Sequence, residues 1–233
     1  MKIIAHRGAS VAEVENTPAA FRAADRMGAD GVELDVRLAP DGRGARRLVV
    51  HHDRLPVDQE AIDALPSHDE VLDACGERML INVEIKNHPD EGGFDPTMAM
   101  VAPTIAAMRR FDPHRPDRWL ISSFTIETID HARRVGPEFA TALLGDPLDE
   151  RTIEVAAAGG HRAVHPNERF VTGDGVAAAH AAGLTVNTWT VNDPDRMLEL
   201  AAIGVDGVCT DVPDLARSTL GAVVDPDSSR WGR

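Results

Sequence analysis

The chain has 233 residues, 43% of them hydrophobic and 27% charged, a composition typical of a globular protein that can bury one large core. Its formal net charge of −14 argues against non-specific binding to nucleic acid or to an anionic membrane surface. No window approaches the roughly 18 apolar residues of a membrane span, and the N-terminus has no secretory signal, so we expect a cytoplasmic protein without stable membrane association.

Along the chain, short apolar segments of β type alternate with alanine-rich segments that have a helical period. Strands that alternate with helices in this way indicate a parallel α/β fold. The predicted strands are Ile3–His6, Val32–Val36, Leu48–His51, Met79–Ile85, Trp119–Ser122, Ala140–Leu144, Ala163–His165, Leu184–Val191 and Gly207–Thr210. The predicted helices begin near Thr17, His68, Pro96, Ile126, Asp149, Gly173, Pro194 and Pro213.

The third predicted strand, Leu48–His51, differs from the others because no helix precedes it. The segment LAPDGRGARR before it is rich in glycine and proline and contains the hairpin turn signal Asp41-Gly42. We therefore predict that this strand returns antiparallel beside the second strand. A turn centred near residues 43–44 would set position 52 opposite position 35.

Without this hairpin strand, the predicted elements form eight strand–helix units, which is the count of a (β/α)8 barrel. We therefore predict an α/β protein, a single (β/α)8 TIM barrel with an extra antiparallel hairpin strand after strand 2. No shift in composition marks a domain boundary. Residues 1–222 are the predicted domain, and the polar residues 223–233 are predicted to form a flexible C-terminal tail.

Acidic residues occur in two predicted strands at positions that an apolar core would not tolerate. Glu33 and Asp35 lie two residues apart, so both side chains face the same side of their strand, and Glu84 lies on the next barrel strand. Three buried carboxylates repel one another unless a cation lies between them. Carboxylates without thiolates favour one hard divalent cation, such as Mg²⁺, Ca²⁺ or Mn²⁺. The alternative, in which Glu33 or Asp35 faces the helices and pairs with an arginine, stays open at this point.

Histidines and cationic residues lie close to these carboxylates in the predicted barrel. His6 and His52 lie at strand ends, where parallel barrels build their active sites, and histidine titrates near neutral pH. They are therefore a candidate acid/base pair. Arg7 and Lys86 offer positive charges suited to a phosphate group. Together these residue types indicate phosphoester chemistry.

Other polar residues near strand ends allow two interpretations. His165 either lines the pocket or has a structural role. His51 is expected to face away from His52 because successive strand side chains alternate. Gly8 allows either a tight backbone turn or the close approach of a substrate.

Six motifs, in order from residue 3 to about residue 215, resemble the glycerophosphodiester phosphodiesterase family: AHRG, ENT, ELDV, HD, EIK and TWTVN…GVDGVCTD. The resemblance implies a barrel of the phospholipase-C-like phosphodiesterases. It also implies metal carboxylates at Glu33, Asp35 and Glu84, catalytic histidines at His6 and His52, phosphate-contacting cations at Arg7 and Lys86, and an aromatic wall near the glycerol at Trp189.

The activity implied by the resemblance is hydrolysis of a small-molecule glycerophosphodiester to sn-glycerol 3-phosphate and an alcohol. In the mechanism proposed for such enzymes, the neighbouring glycerol hydroxyl attacks phosphorus, the two histidines transfer protons, and water opens the resulting cyclic phosphate. The segment after His52-Asp53 is shorter than is usual in the family, which leaves the alcohol group open. The alternatives are a lysophospholipase D-like phosphodiesterase and a non-catalytic phosphate-binding barrel.

Overall fold

The computed structural model describes residues 1–90, 92–221 and 231. Its strands are β1 (Lys2–His6), β2 (Gly31–Pro40), β3 (Arg46–Val50), β4 (Leu80–Ile85), β5 (Trp119–Ser123), β6 (Ala140–Gly145), β7 (Ala163–Pro166), β8 (Thr185–Thr188) and β9 (Gly207–Thr210). Its α-helices are α1 (Pro18–Arg26), α2 (Gln59–Asp63), α3 (His68–Ala74), α4 (Val101–Phe111), α5 (Ile126–Val135), α6 (Glu150–Ala158), α7 (Gly173–Ala181), α8 (Pro194–Ala202) and α9 (Pro213–Leu220).

Eight strands in the described part of the chain form a closed ring in which neighbouring strands run parallel. β1 closes the ring because it pairs with β2 on one side and with β9 on the other. β3 lies outside the ring and pairs antiparallel with the outer half of β2. The predicted (β/α)8 barrel with an extra hairpin strand is confirmed. Among the described helices, none is long and apolar enough to cross a membrane.

Alternation along β2 determines which of its side chains face the barrel interior. Val32 and Leu34 belong to the core between the strands and the helices. Glu33 and Asp35 face the opposite side, where both lie close to Glu84 of β4. The alternative in which one of these carboxylates faces the helices is therefore wrong.

Small and aliphatic side chains fill the barrel interior towards the amino ends of the strands. Ile4, Leu80, Leu120, Ala142 and Ala163 form this cluster, and each of them is nearly inaccessible to solvent. The cluster forms an apolar floor, and the polar residues of the strands lie above it at the carboxyl ends. Among the described residues, the polar groups that face the barrel interior are therefore concentrated at that end.

The hairpin register differs by one position from the predicted register. Val36 pairs with Val50 and Pro40 with Arg46, so the turn is centred on residue 43. The carboxylate of Asp41 accepts hydrogen bonds from the backbone N–H groups of residues 43 and 45, which fixes this loop. His51, not His52, therefore lies opposite Asp35. The backbone N–H of His51 donates a hydrogen bond to the carbonyl of Asp35.

Other differences from the predicted elements lie at helix and strand ends. α4 begins at Val101, five residues later than predicted, because Asp95 accepts backbone hydrogen bonds from Thr97 and Ala99 and Met98 has a φ of +55°. β8 ends at Thr188, short of the predicted strand end. The short helix α2 was not predicted, although Asp58 provides its N-cap.

The predicted flexible tail, 223–233, lies outside the described residues except for Trp231. The indole of Trp231 packs against the apolar floor of the barrel, and its Nε1–H donates to the carbonyl of Arg118 at 2.8 Å. Arg118 directly precedes β5, so this contact lies at the amino end of the barrel, opposite the polar groups.

Candidate active site

A cleft of about 540 Å³ opens at the carboxyl ends of the barrel strands. Eight of the nine candidate residues line it, and the ninth, Asp35, lies beside two of them, Glu33 and Glu84. The eight candidates in the lining are His6, Arg7, Glu33, His52, Glu84, Lys86, His165 and Trp189.

The three candidate metal carboxylates come together because β2 and β4 are neighbours in the ring. Asp35 pairs in register with Glu84, and one oxygen from each of Glu33, Asp35 and Glu84 lies within 4.8 Å of the others. Oε1 of Glu33 and Oδ1 of Asp35 are buried and accept no hydrogen bond from any described residue. Burial and the neighbouring carboxylates raise the pKa of Glu33 well above its usual range. Buried oxygens with this geometry fit a hard divalent cation.

Two cationic side chains border this cluster. Lys86 Nζ lies 2.9 Å from Oε1 of Glu84 and 3.8 Å from Oδ1 of Asp35. Arg7 Nε lies 3.2 Å from Oδ2 of Asp35. Burial alone would lower the pKa of Arg7, but the surrounding carboxylates, Asp35 first, outweigh it and raise that pKa. Arg7 therefore remains charged where a phosphate group would meet the carboxylates, and Lys86 Nζ lies beside the same carboxylates.

The loop between β1 and α1 holds Arg7 in an unusual backbone conformation. Arg7 and Asn16 have φ values of +56° and +59°, and the backbone N–H of Asn16 donates to the carbonyl of Arg7. Asn16 also donates from Nδ2 to Oδ2 of Asp35 at 2.8 Å, and the Arg7 guanidinium contacts both oxygens of Glu15. Sequence reasoning gave no role to Glu15 or Asn16, although both belong to the ENT motif.

Gly8 has a φ of +83°, and a Cβ at this position would lie 2.6 Å from the backbone carbon of Ala20 in α1. Both observations explain why the residue lacks a side chain. Of the two alternatives for Gly8, these contacts favour the tight turn. The close approach is made by helix α1.

His6 forms a hydrogen-bonded pair with Asp211, whose Oδ1 lies 2.7 Å from Nδ1 of His6. The carboxylate of Asp211 also accepts hydrogen bonds from Ser10 and Asn192. Burial alone would raise the pKa of Asp211, but the hydrogen bonds from His6 and Asn192 outweigh it and lower that pKa to about 2. An ionised Asp211 fixes the Nδ1–H tautomer of His6 and leaves Nε2 available for a substrate.

Sequence reasoning did not single out Asp211. The signal that could have found it is its place directly after Thr210, the last residue of the last barrel strand. An acidic residue at that position meets the end of β1 once the barrel closes.

His52 follows β3 and lies with its side chain 35% exposed at the rim of the cleft. Its Nδ1 lies 2.9 Å from Oδ1 of Asp53, so its Nε2 is also left available for a substrate. Its backbone carbonyl accepts two hydrogen bonds from Arg37, at 3.1 and 2.7 Å. Arg37 lies on the same face of β2 as Glu33 and Asp35, and sequence reasoning missed it.

Aromatic and neutral groups form the other wall of the cleft. Trp189 donates from Nε1 to the carbonyl of His165 at 2.8 Å, and its ring meets Phe124 edge to face at 5.5 Å. His165 is buried, which lowers its pKa to about 3, and its Nε2 accepts a hydrogen bond from Asn187 at 3.0 Å. His165 therefore both lines the cleft and supports the wall as a neutral group. Phe124 was not predicted.

Comparison with known proteins gives matches along nearly the whole chain. The model of the glycerophosphoryl diester phosphodiesterase family matches residues 6–65 and 54–215. The glycerophosphodiester phosphodiesterase of Caldanaerobacter subterraneus subsp. tengcongensis is 29% identical over 91% of this chain and 94% of its own. The enzyme of that name from Bacillus altitudinis is 29% identical over 92% of this chain and 96% of its own.

A solved structure shares the fold. It is an Oleispira antarctica phosphodiesterase in complex with the product sn-glycerol-3-phosphate, with a TM-score of 0.76 and 24% identity. The match covers 94% of this chain and 96% of that chain.

Proposed function

The chain belongs to the glycerophosphoryl diester phosphodiesterase family, and on that premise we propose that it hydrolyses glycerophosphodiesters to sn-glycerol 3-phosphate and an alcohol. The observation that carries the proposal is one cleft that combines clustered carboxylates, two cations and two histidines, each histidine with a carboxylate partner. These are the groups that transfer of a phosphoryl group between oxygens requires.

Glu33, Asp35 and Glu84 are the residues that would hold one divalent cation, because one oxygen of each lies close to the others and Oε1 of Glu33 and Oδ1 of Asp35 accept no hydrogen bond from a described residue. Such an ion supplies Lewis-acid polarisation of a phosphoryl oxygen. Arg7 and Lys86 bind the phosphate by their charge, and the carboxylates beside them hold both side chains in place. The wall that contains Trp189 packs against the glycerol.

The two histidines transfer protons in this proposal. The neighbouring glycerol hydroxyl forms a bond to phosphorus while the bond from phosphorus to the alcohol breaks. One histidine takes the hydroxyl proton, and the other donates a proton to the leaving alcohol. Water then opens the cyclic phosphate with the two proton transfers reversed, which restores both histidines. Asp211 and Asp53 orient the imidazoles for these transfers.

A substrate panel tests the reaction. Purified protein with Mg²⁺, Ca²⁺ or Mn²⁺ is given one of three substrates: glycerophosphoethanolamine, a lysophospholipid or bis(p-nitrophenyl) phosphate. Release of sn-glycerol 3-phosphate is measured with the first substrate, and hydrolysis is measured with the other two. We expect release from the glycerophosphodiester. Hydrolysis of the lysophospholipid alone would instead support the lysophospholipase D-like alternative. A protein that binds the ion but cleaves none of the three would be a non-catalytic phosphate-binding barrel.

The variant His52→Ala tests the acid/base role separately. We expect loss of turnover with unchanged binding of the divalent cation, measured by calorimetry, because His52 is no candidate ligand. The matched control is His114→Ala, which removes an exposed histidine from the segment before β5 at the other end of the barrel. Most of the activity surviving in His52→Ala would contradict the role.

A further inference from the structure

A second cleft adjoins the catalytic cleft on the side of the β2–β3 hairpin. It has a volume of about 1210 Å³, part of it open to solvent, between the hairpin and the segment that connects β4 to α4. Lys86 lines both clefts, so the two spaces meet at its side chain. A molecule bound at Lys86 could therefore extend from one cleft into the other.

Cationic side chains dominate the polar lining of the second cleft. Arg46 and Arg54 line it with exposed guanidinium groups, whereas the cations of Arg37 and Lys86 are buried and have partners of their own. Asp95 is the acidic residue among the described residues that line it. The whole chain has a formal net charge of −14, so this concentration of positive charge is local. A cleft lined in this way attracts an anion.

Arg54 lies directly over the backbone of Gly92. A Cβ at Gly92 would lie 1.8 Å from Nε of Arg54, so the absence of a side chain at position 92 makes room for the guanidinium. The Arg54 side chain therefore lies across the connecting segment at the cleft wall. It forms no ion pair with a described carboxylate.

Arg46 extends the positive lining along the hairpin. It begins β3 opposite Pro40, which also lines the second cleft. Its guanidinium forms no close ion pair with a described residue, but it is near Asp95: hydrogen bonds from Thr97 lower the pKa of Asp95, and the charge of Arg46 adds to that lowering. Two exposed guanidinium groups therefore follow Lys86 along one continuous space. Arginine is the side chain best suited to bind phosphate or carboxylate oxygens in pairs.

We propose that the second cleft binds an anionic group, a phosphate or a carboxylate, on the alcohol that leaves in the reaction. This rests on the proposed function, in which the glycerol packs against the wall at Trp189 and the phosphate lies between Arg7 and Lys86. The alcohol then extends past Lys86, away from that wall, towards Arg46 and Arg54. The preferred substrates are glycerophosphodiesters whose alcohol is itself an anion.

Two matched substrates test the proposal. The first is the diester of two glycerols with one phosphate, and the second has one further phosphate, on the leaving glycerol. We expect kcat/KM to be higher for the second on the order of tenfold, because hydrogen bonds to charged groups contribute more than neutral ones. In the double variant R46Q/R54Q this preference should fall to about twofold or less, with the rate on the first substrate unchanged.

The control variant is Arg22→Gln, which removes a positive charge from an exposed position of α1. It should keep the full preference. Equal kcat/KM for both substrates in the unmodified chain, or a preference that survives R46Q/R54Q, would overturn the second-cleft proposal while the proposed function stood. Failure to cleave either substrate would instead count against the proposed function.

Discussion

Asp211 decides which nitrogen of His6 carries the proton. It accepts the Nδ1–H of His6 and two further side-chain hydrogen bonds, and its low pKa keeps the carboxylate ionised throughout the neutral range. His6 therefore presents Nε2, in a fixed orientation, at the place where the cleft holds Arg7 and Glu33. In the proposed mechanism Asp211 is a positioning residue that acts through His6.

Asp211→Asn should lower kcat by roughly 10²-fold to 10⁴-fold with a much smaller change in KM, because the amide favours the wrong tautomer of His6. Steady-state kinetics and the pH profile of kcat measure the effect. A matched control exists at the opposite end of the barrel, where Asp206 lies 2.7 Å from Nε2 of His180. Asp206→Asn should leave kcat within about twofold. Equal effects of the two substitutions would remove the positioning role.

His68 gives the fold a pH-sensitive residue away from the cleft. It begins α3 with its side chain buried, and neither ring nitrogen has a hydrogen-bond partner among the described residues. Burial lowers the pKa of His68 to about 4. The folded chain therefore holds this imidazole neutral at pH values where the unfolded chain would protonate it.

The free energy of unfolding should fall as the pH decreases from about 6.5 to about 4, since the unfolded state binds the proton on His68 more readily. The slope from this one residue is up to about 1.4 kcal/mol per pH unit. Urea unfolding at pH 7 and pH 5 measures the loss, which His68→Leu should reduce. In the variant, His165 still gives part of the pH dependence of the free energy of unfolding, because burial lowers the pKa of His165 as well. If the free energy of unfolding of His68→Leu changed with pH as steeply as that of the unmodified chain, the role of His68 would be contradicted.

At the scale of single elements, β2 and its hairpin build most of the candidate site. One face of β2 carries Glu33, Asp35 and then Arg37, which holds the carbonyl of His52 with two hydrogen bonds. The hairpin therefore brings a candidate acid/base residue to the carboxylates although β3 lies outside the barrel ring. Glu33 and Asp35 were predictable from their spacing. The contact between Arg37 and the carbonyl of His52 was not predictable, because it depends on where the chain turns after β3.

The loop between β1 and α1 is a second element on which the site depends. Gly8→Ala should lower the free energy of unfolding by roughly 2–4 kcal/mol, because the new Cβ would strain a positive φ and overlap Ala20. Gly44→Ala is the control, since Gly44 has a φ of +95° and no atom within 4 Å of a built Cβ. That variant should lose only about 1 kcal/mol. Chemical unfolding compares the two, and equal losses would show that the contact with α1 contributes nothing.

At the scale of the whole molecule, barrel closure brings together residues that are far apart in the chain. His6 and Asp211 are 205 positions apart, and they meet because β1 pairs with β9. The alternation of strands and helices was enough to predict the barrel, because each element buries one face against the next layer. Residues that end predicted strands could then be assigned to one end of it. Asp211 and Phe124 follow strands as well, but a strand end alone does not show which partner it meets.

In the proposed function, the buried carboxylates Glu33, Asp35 and Glu84 hold a cation that the reaction requires. The most direct measurement is sn-glycerol 3-phosphate release by chelator-treated protein as Mg²⁺, Ca²⁺ or Mn²⁺ is added back, in the unmodified chain and in Glu84→Gln. We predict no release without the ion. In the variant, half-maximal release should require a cation concentration higher by on the order of tenfold or more. Full release from chelator-treated protein, or the same cation dependence in Glu84→Gln, would contradict the claim.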